Sequence, residues 1–157
     1  MIEKLISGGQ TGADRAGLEA AKALGIPTGG IAPKGFRICL PDGSDGTDPT
    51  LAEFGLTEHH SCEYPPRTKL NATNSDGTVW FGYEDSRGAK LTIKSAKKAG
   101  KPVKSNPTVS ELRSWIKEHN IKVLNVAGNR ASDLNPEIAK TTYETLVKAL
   151  SSESKHD

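Results

Sequence analysis

Cysteine is scarce: Cys39 and Cys62 are the two in 157 residues, and neither stands in a Cys-x-x-Cys pair. That excludes a disulfide framework and weakens any zinc reading. Long apolar runs are missing as well. None approaches the roughly 18–20 residues that a membrane-crossing helix needs, so no membrane partner is expected. Charge of one sign is also lacking. Lys and Arg number 21 against 19 Asp and Glu, a net charge of +2. With basic residues interspersed among acidic ones, no nucleic-acid footprint forms. The densest basic stretch, Lys94, Lys97, Lys98 and Lys101, reads as the solvated face of a helix. A strand-like run opens the chain where a leader would show a charged and then an apolar segment, so no signal peptide is expected and the reading is cytoplasmic.

What is present is glycine and proline, 16 and 9 residues, which mark turns and close backbone approaches. The length suits one domain, since domains usually run to roughly 100–200 residues. We read residues 1–150 as that domain and 151–157 as a frayed tail. Strand-like and helical patterns alternate along it. Ile2 to Ile6 is a short strand ending at Ser7-Gly8-Gly9. A helix follows, with Thr11 as its cap, Asp14 in its first turn, a stripe of small residues (Ala13, Ala16, Gly17, Ala20) and Gly25 at its end. Ile26 to Ala32 is a second strand. From Phe36 to Tyr64 no strong periodicity appears, and Pro65-Pro66 open a short helix through Leu70 and Ala72.

Thr78 to Tyr83, with Val79, Trp80 and Phe81, is the clearest buried strand. Behind it come a helix with Ala89, Ile93 and Ala96 on one face, and a short strand from Pro102 to Lys104. Thr108 and Glu111 form a capping box ahead of a further helix. Ile121 to Ala127 is the last strand. Asn135 caps a final helix that has Pro136 first and a stripe of Ala139, Tyr143, Leu146, Val147 and Leu150. This alternation predicts a single Rossmann-like three-layer α/β domain: a mainly parallel sheet with helices on both faces.

Three strand-to-helix turns are candidate binding segments, because ligands in open α/β sheets sit outside the carboxyl ends of strands. The first is Gly8-Gly9-Gln10-Thr11-Gly12, with Asp14 and Arg15 behind it. Unpaired N–H groups and partial positive charge at a helix start make such a turn ready for a phosphate. It lacks both the Gly-Lys-Ser/Thr ending of a P-loop and Gly-x-Gly-x-x-Gly, so ATP hydrolysis and ordinary NAD binding are disfavoured. The competing reading is a turn that needs glycine only for chain geometry. The second is Gly128-Asn129-Arg130, where Arg130 could grip a phosphate in bidentate fashion or bridge to Asp133 or Glu137 on the surface. The third is Ser86-Arg87-Gly88, after the strongest strand. Lys34, after the second strand, is a further orienting residue.

The segment Ser7-Gly8-Gly9-Gln10-Thr11-Gly12-Ala13-Asp14-Arg15 resembles the signature of the family named "putative molybdenum carrier", within a wider Rossmann-like group that includes YpsA and the lysine-decarboxylase-like (LOG) folds. Gly25 to Gly30 with Pro33-Lys34-Gly35, then Asn74 to Thr78, then Leu124 to Ser132 follow in matching order, roughly from Ile2 to Leu150. The resemblance implies a nucleotide-like pocket, a homo-oligomer, and binding of the molybdenum cofactor, a pterin with a terminal phosphate. Family members resemble Gly-Gly-Thr where this chain has Arg87-Gly88-Ala89; the gained Arg points to a more anionic ligand. The stretch from Phe36 to Ser61 is longer than expected of the family.

Other clusters carry less. His59, His60 and Cys62, even with Cys39, have poor ligand spacing, so no metal site is expected. Asp42, Asp45 and Asp48 do not match a calcium loop. Trp80 and Trp115 read as core. Three functions follow. The first is a carrier for a phosphorylated small molecule, a nucleotide or the molybdenum cofactor. The second is a hydrolase cleaving an N-glycosidic or phosphoribosyl bond of a nucleotide, with Asp14 or Asp76 as the carboxylate. The third is a sensor or sequestering protein for a nucleotide signal.

Overall fold

A computed structural model describes residues 2–151. Six parallel strands form the main sheet in the order β5-β2-β1-β8-β6-β7. They are β1 (Lys4–Ile6), β2 (Thr28–Ala32), β5 (Leu56–Glu58), β6 (Gly77–Phe81), β7 (Val103–Ser105) and β8 (Val123–Gly128). The register sets Leu5 beside Leu124 and Val79 beside Val126, and all four are fully buried. Every residue of β6 is buried, as a strand covered on both faces requires.

Five helices cover the sheet: α1 (Ala13–Ala23), α2 (Tyr64–Asn74), α3 (Arg87–Lys98), α4 (Val109–Glu118) and α5 (Ile138–Leu150). Helices α1 and α4 both pack on α5, while α2 packs on α3 across the sheet. The expected three-layer Rossmann-like α/β architecture is observed. The small-residue stripe explains how α1 sits: a Cβ at Gly17 would come within 2.9 Å of Val126, so the helix lies directly on β8. The capping box of Thr108 and Glu111 is also formed.

From β1 the chain steps through α1 toward β2 and β5, and from β6 it steps through α3 the other way to β7. Strand β8 returns between β1 and β6. The direction of winding reverses there, and a crevice opens outside the carboxyl ends of these three strands.

Several local expectations are corrected. Thr11 does not cap α1; the N-cap is Gly12 (φ +84°) without a side-chain bond, because the Thr11 hydroxyl is engaged elsewhere. Asn135 does not cap α5. Residues 133–137 form turns, the N-cap is Glu137, and the Asn135 side chain donates to Asn129 Oδ1 at 3.1 Å. The buried stripe is the one that faces α1 and α4, Ile138, Thr142, Leu146, Ala149 and Leu150, which leaves Tyr143 37 % exposed. The stretch from Phe36 to Tyr64 is built rather than irregular: an antiparallel hairpin of β3 (Arg37–Cys39) and β4 (Asp45–Thr47), a 3₁₀ segment at Pro49–Phe54, and β5. Three-residue strands are too short to show a period. The expected frayed tail falls, apart from Ser151, outside the described residues.

Candidate functional site

The crevice is a cleft of about 570 Å³, within the usual size range for small-molecule sites. Its rim comes from two of the three predicted segments. Ser86, Arg87 and Gly88 open α3, and Gly128, Asn129 and Arg130 follow β8. The Ser86 hydroxyl accepts from Ala89 N at 3.1 Å, capping α3. Asn129 Oδ1 accepts from Tyr83 N at 2.8 Å, which ties the two segments together. Arg87 is exposed and has no ion-pair partner among the described residues. Arg130 bridges to neither Asp133 nor Glu137; its Nη1 donates to the neighbouring Ala131 carbonyl at 3.2 Å.

The first glycine segment contributes differently. Gln10 and Asp14 line the cleft, but four backbone N–H groups of the loop and helix start are already taken. Gly9 N donates to Ser7 Oγ, Gln10 N to Asp14 Oδ2, Thr11 N to Gln10 Oε1, and Ala13 N to the Asn129 carbonyl. A Cβ at Gly12 would overlap the backbone of Asn129 to Ala131. This loop therefore holds protein against protein. Gln10 Oε1 also accepts from Cys39 N at 2.6 Å, and the Thr11 hydroxyl donates to the Cys39 carbonyl at 2.7 Å. Those bonds anchor the β3–β4 hairpin.

The remaining predicted residues are not brought to the cleft. Gly8 and Gly9 are buried beneath it, packed on Arg67 and on Leu51 with Leu56. Arg15 pairs with Asp48, donates to Thr50 Oγ1 at 3.0 Å and lies over Phe54, holding the 3₁₀ segment. Lys34 is exposed on a turn. Asp76 lies at the amino ends of the strands, the end opposite the cleft, where its carboxylate accepts from Lys122 N and Val123 N. Asp45 pairs with Arg37, and Asp42 accepts from Ser44. His59 and His60 stack on each other. Among the described residues, no group of three His, Cys, Asp or Glu side chains could hold a metal ion.

The floor was not legible in the sequence. Arg67 and Tyr64, one helical turn apart on α2, line it with Thr68, Trp80 and Cys39. Trp80 is core, as expected, at 2 % exposure, yet it also forms a wall. The one available signal was spacing: positions 64, 67 and 68 share a face of a helix. The Arg67 side chain is 12 % exposed, and Nη1 lies 3.8 Å from Asp14 Oδ2. Burial raises the Asp14 carboxyl to about 6, opposed by the Arg67 charge and by the N–H groups of Gln10, Gly8 and Gly128. Burial likewise lowers Arg67, with Asp14 opposing.

The model of the "Circularly permutated YpsA SLOG family" matches residues 5–150. A crystal structure of a "Putative molybdenum carrier protein" from Syntrophus aciditrophicus SB is 36 % identical, with a TM-score of 0.82 over 96 % of each chain. No curated protein matches. Among the described residues, no helix is long and apolar enough to cross a membrane.

Proposed function

The chain belongs to the circularly permutated YpsA SLOG family, and we propose that it binds and carries a phosphate-bearing small molecule, nucleotide- or molybdopterin-like, in the cleft between α3 and the turn after β8. The observation that carries this reading is the pairing at the rim. Among the described residues Arg87 and Arg130 have no carboxylate partners, and they flank the start of α3. A helix start and two guanidinium groups together suit a phosphate. Tyr64, Trp80 and Tyr83 supply flat apolar surface for a ring. The similarity to a protein named as a molybdenum carrier supports the pterin form of this ligand. A pterin phosphate fits the cleft through these rim and wall residues. When bound, the molybdenum cofactor would supply a redox-active metal to whatever enzyme receives it, while the chain's own residues bind, orient and shield the pterin.

A thermal-shift panel of AMP, GMP, ADP-ribose, cyclic nucleotides, a phosphorylated pterin, molybdate and phosphate tests the proposal. A ligand present at 100 times its dissociation constant adds about 2.7 kcal/mol of stability. For a domain of this size the expected rise in Tm is on the order of 5–10 °C. No rise with any organic phosphate would sink the reading.

A second reading, hydrolysis of a nucleotide N-glycosidic bond, is favoured by one observation: Asp14 lines the cleft with its carboxyl raised to about 6. A carboxyl so poised suits general acid–base work near neutral pH. It predicts release of free base from nucleotides, abolished in Asp14→Asn.

A further inference from the structure

Arg67 is an unusual residue to bury. Its guanidinium is packed on Gly8, where a Cβ would overlap Nη1, and lies 5.4 Å from the centre of the Tyr64 ring. It makes no hydrogen bond with any described residue, and its Nε is fully buried and unpartnered. A guanidinium carries five N–H donors and no acceptor; leaving the buried Nε donor unmet is costly, and the Nη donors, unbonded to any described residue, remain reachable from the cleft. Asp14 does not meet them: it sits at 3.8 Å, beyond hydrogen-bond reach, with backbone N–H groups already directed at it.

The rest of the floor has the same bias. Trp80 Nε1 and the Tyr64 hydroxyl are buried without partners among the described residues, and an indole N–H only donates. The amide acceptors nearby are occupied. Gln10 Oε1 receives Thr11 N and Cys39 N, and Asn129 Oδ1 receives Tyr83 N and Asn135 Nδ2. On the floor, apart from hydroxyls, which can turn either way, and the Asp14 carboxylate, which backbone N–H groups already address, the groups named here that are left open are donors.

Resting on the phosphate-ligand reading above, we infer that Arg67 selects the ring of the ligand: its planar fork recognises a paired carbonyl and ring-nitrogen acceptor edge, as on a 6-oxopurine or a 4-oxopteridine, and disfavours a 6-aminopurine. The oxo ring offers two adjacent acceptors that match the fork. Adenine places an amino group at that edge, so donor faces donor and the buried guanidinium stays unmet. Arginine reads guanine by this geometry in nucleic acids, with discrimination of roughly tenfold to hundredfold. Both oxo rings share the edge, so purine and pterin sources are separated by assay.

The test is titration calorimetry on the full chain with GMP, IMP, AMP, a phosphorylated 4-oxopterin and ribose 5-phosphate. GMP and IMP, or the oxopterin phosphate, are expected to bind at least about tenfold more tightly than AMP. The tighter of these classes names the source, and either supports the inference. Arg67→Lys keeps the charge and loses the fork, so it is expected to bring the oxo ligand down to the AMP level while AMP is unchanged. AMP equal to or tighter than every oxo ligand in the wild-type chain overturns the inference and leaves phosphate binding standing; this arm needs no variant. An unchanged preference in Arg67→Lys also overturns it. Failure of all five ligands to bind removes both the inference and the reading beneath it.

Discussion

Two strand-to-helix turns at the carboxyl ends of the sheet invite comparison. The turn from β1 into α1 holds Gly8, Gly9 and Gly12; the turn from β6 into α3 holds Gly82 and Gly88. Each leads a parallel strand into a helix start. In the first, Asn129, Asp14, Ser7 and Gln10 occupy the N–H groups of Ala13, Gln10, Gly9 and Thr11. In the second, Ser86 caps one N–H, while Arg87 and Gly88 line the cleft. The glycine-richer turn is the closed one. Glycine reports a close approach to the backbone, and protein makes that approach as readily as a ligand does.

Replacing Gly12 is the severest way to break this comparison. A side chain there meets the backbone of Asn129 to Ala131 and must adopt a positive φ. Gly12→Val is expected to lower stability by more than ~3 kcal/mol, a magnitude reserved for such clashes. That is roughly 6–12 °C in Tm. At Gly88 a Cβ would lie 3.7 Å from Trp80, ordinary contact. A Gly12 variant with unchanged Tm would show that the first turn is not a packing hub.

Asp14 supplies the next effect, and its sign is fixed by burial. Burial pushes the folded carboxyl up to about 6 from its ordinary 3.8, so between those values the folded chain binds the proton more tightly. Stability contributed here therefore falls as pH rises from about 4 to about 6, and the cost is complete above that. The span corresponds to roughly 3 kcal/mol. Urea unfolding from pH 4 to 7 should show this slope in the wild type and lose it in Asp14→Asn. A slope that survives the substitution would assign it to another group.

At the open turn the effects shift from stability to binding. Arg87→Ala is expected to weaken binding of the best organic phosphate by about tenfold, as for loss of one charge-assisted contact of about 1.5 kcal/mol, with Tm unchanged. Equal binding by the variant would move the phosphate away from α3. Smallest is Ser86→Ala, which removes the helix cap at about 1 kcal/mol of stability. Thermal melts check it, and a null result would mean water replaces the hydroxyl.

Much of the fold was legible because its signals are local. Val79-Trp80-Phe81 gave the central strand, the small residues after Gly12 gave a helix close to the sheet, and Thr108 with Glu111 gave a cap. The rim of the cleft was legible for the same reason, since Arg87 and Arg130 stand just beyond strand ends. Arg67 was not. It comes from α2, a weakly amphipathic helix on the face away from α1, and nothing in Tyr64-Pro65-Pro66-Arg67 says that the helix will deliver a guanidinium beneath Gly8. The hairpin between β2 and β5 was missed because strands of three residues carry no period.

By itself, then, the sequence determined the alternation of strands and helices, the order of the turns and the family likeness, all of which reside in contiguous residues. Only the tertiary structure decided which glycine turn is sealed, that Asp76 faces away, and that Asp14 and Arg67 meet on a buried floor. Those outcomes depend on which distant groups reach an N–H or a charge first, and that is a property of packing, not of spacing along the chain.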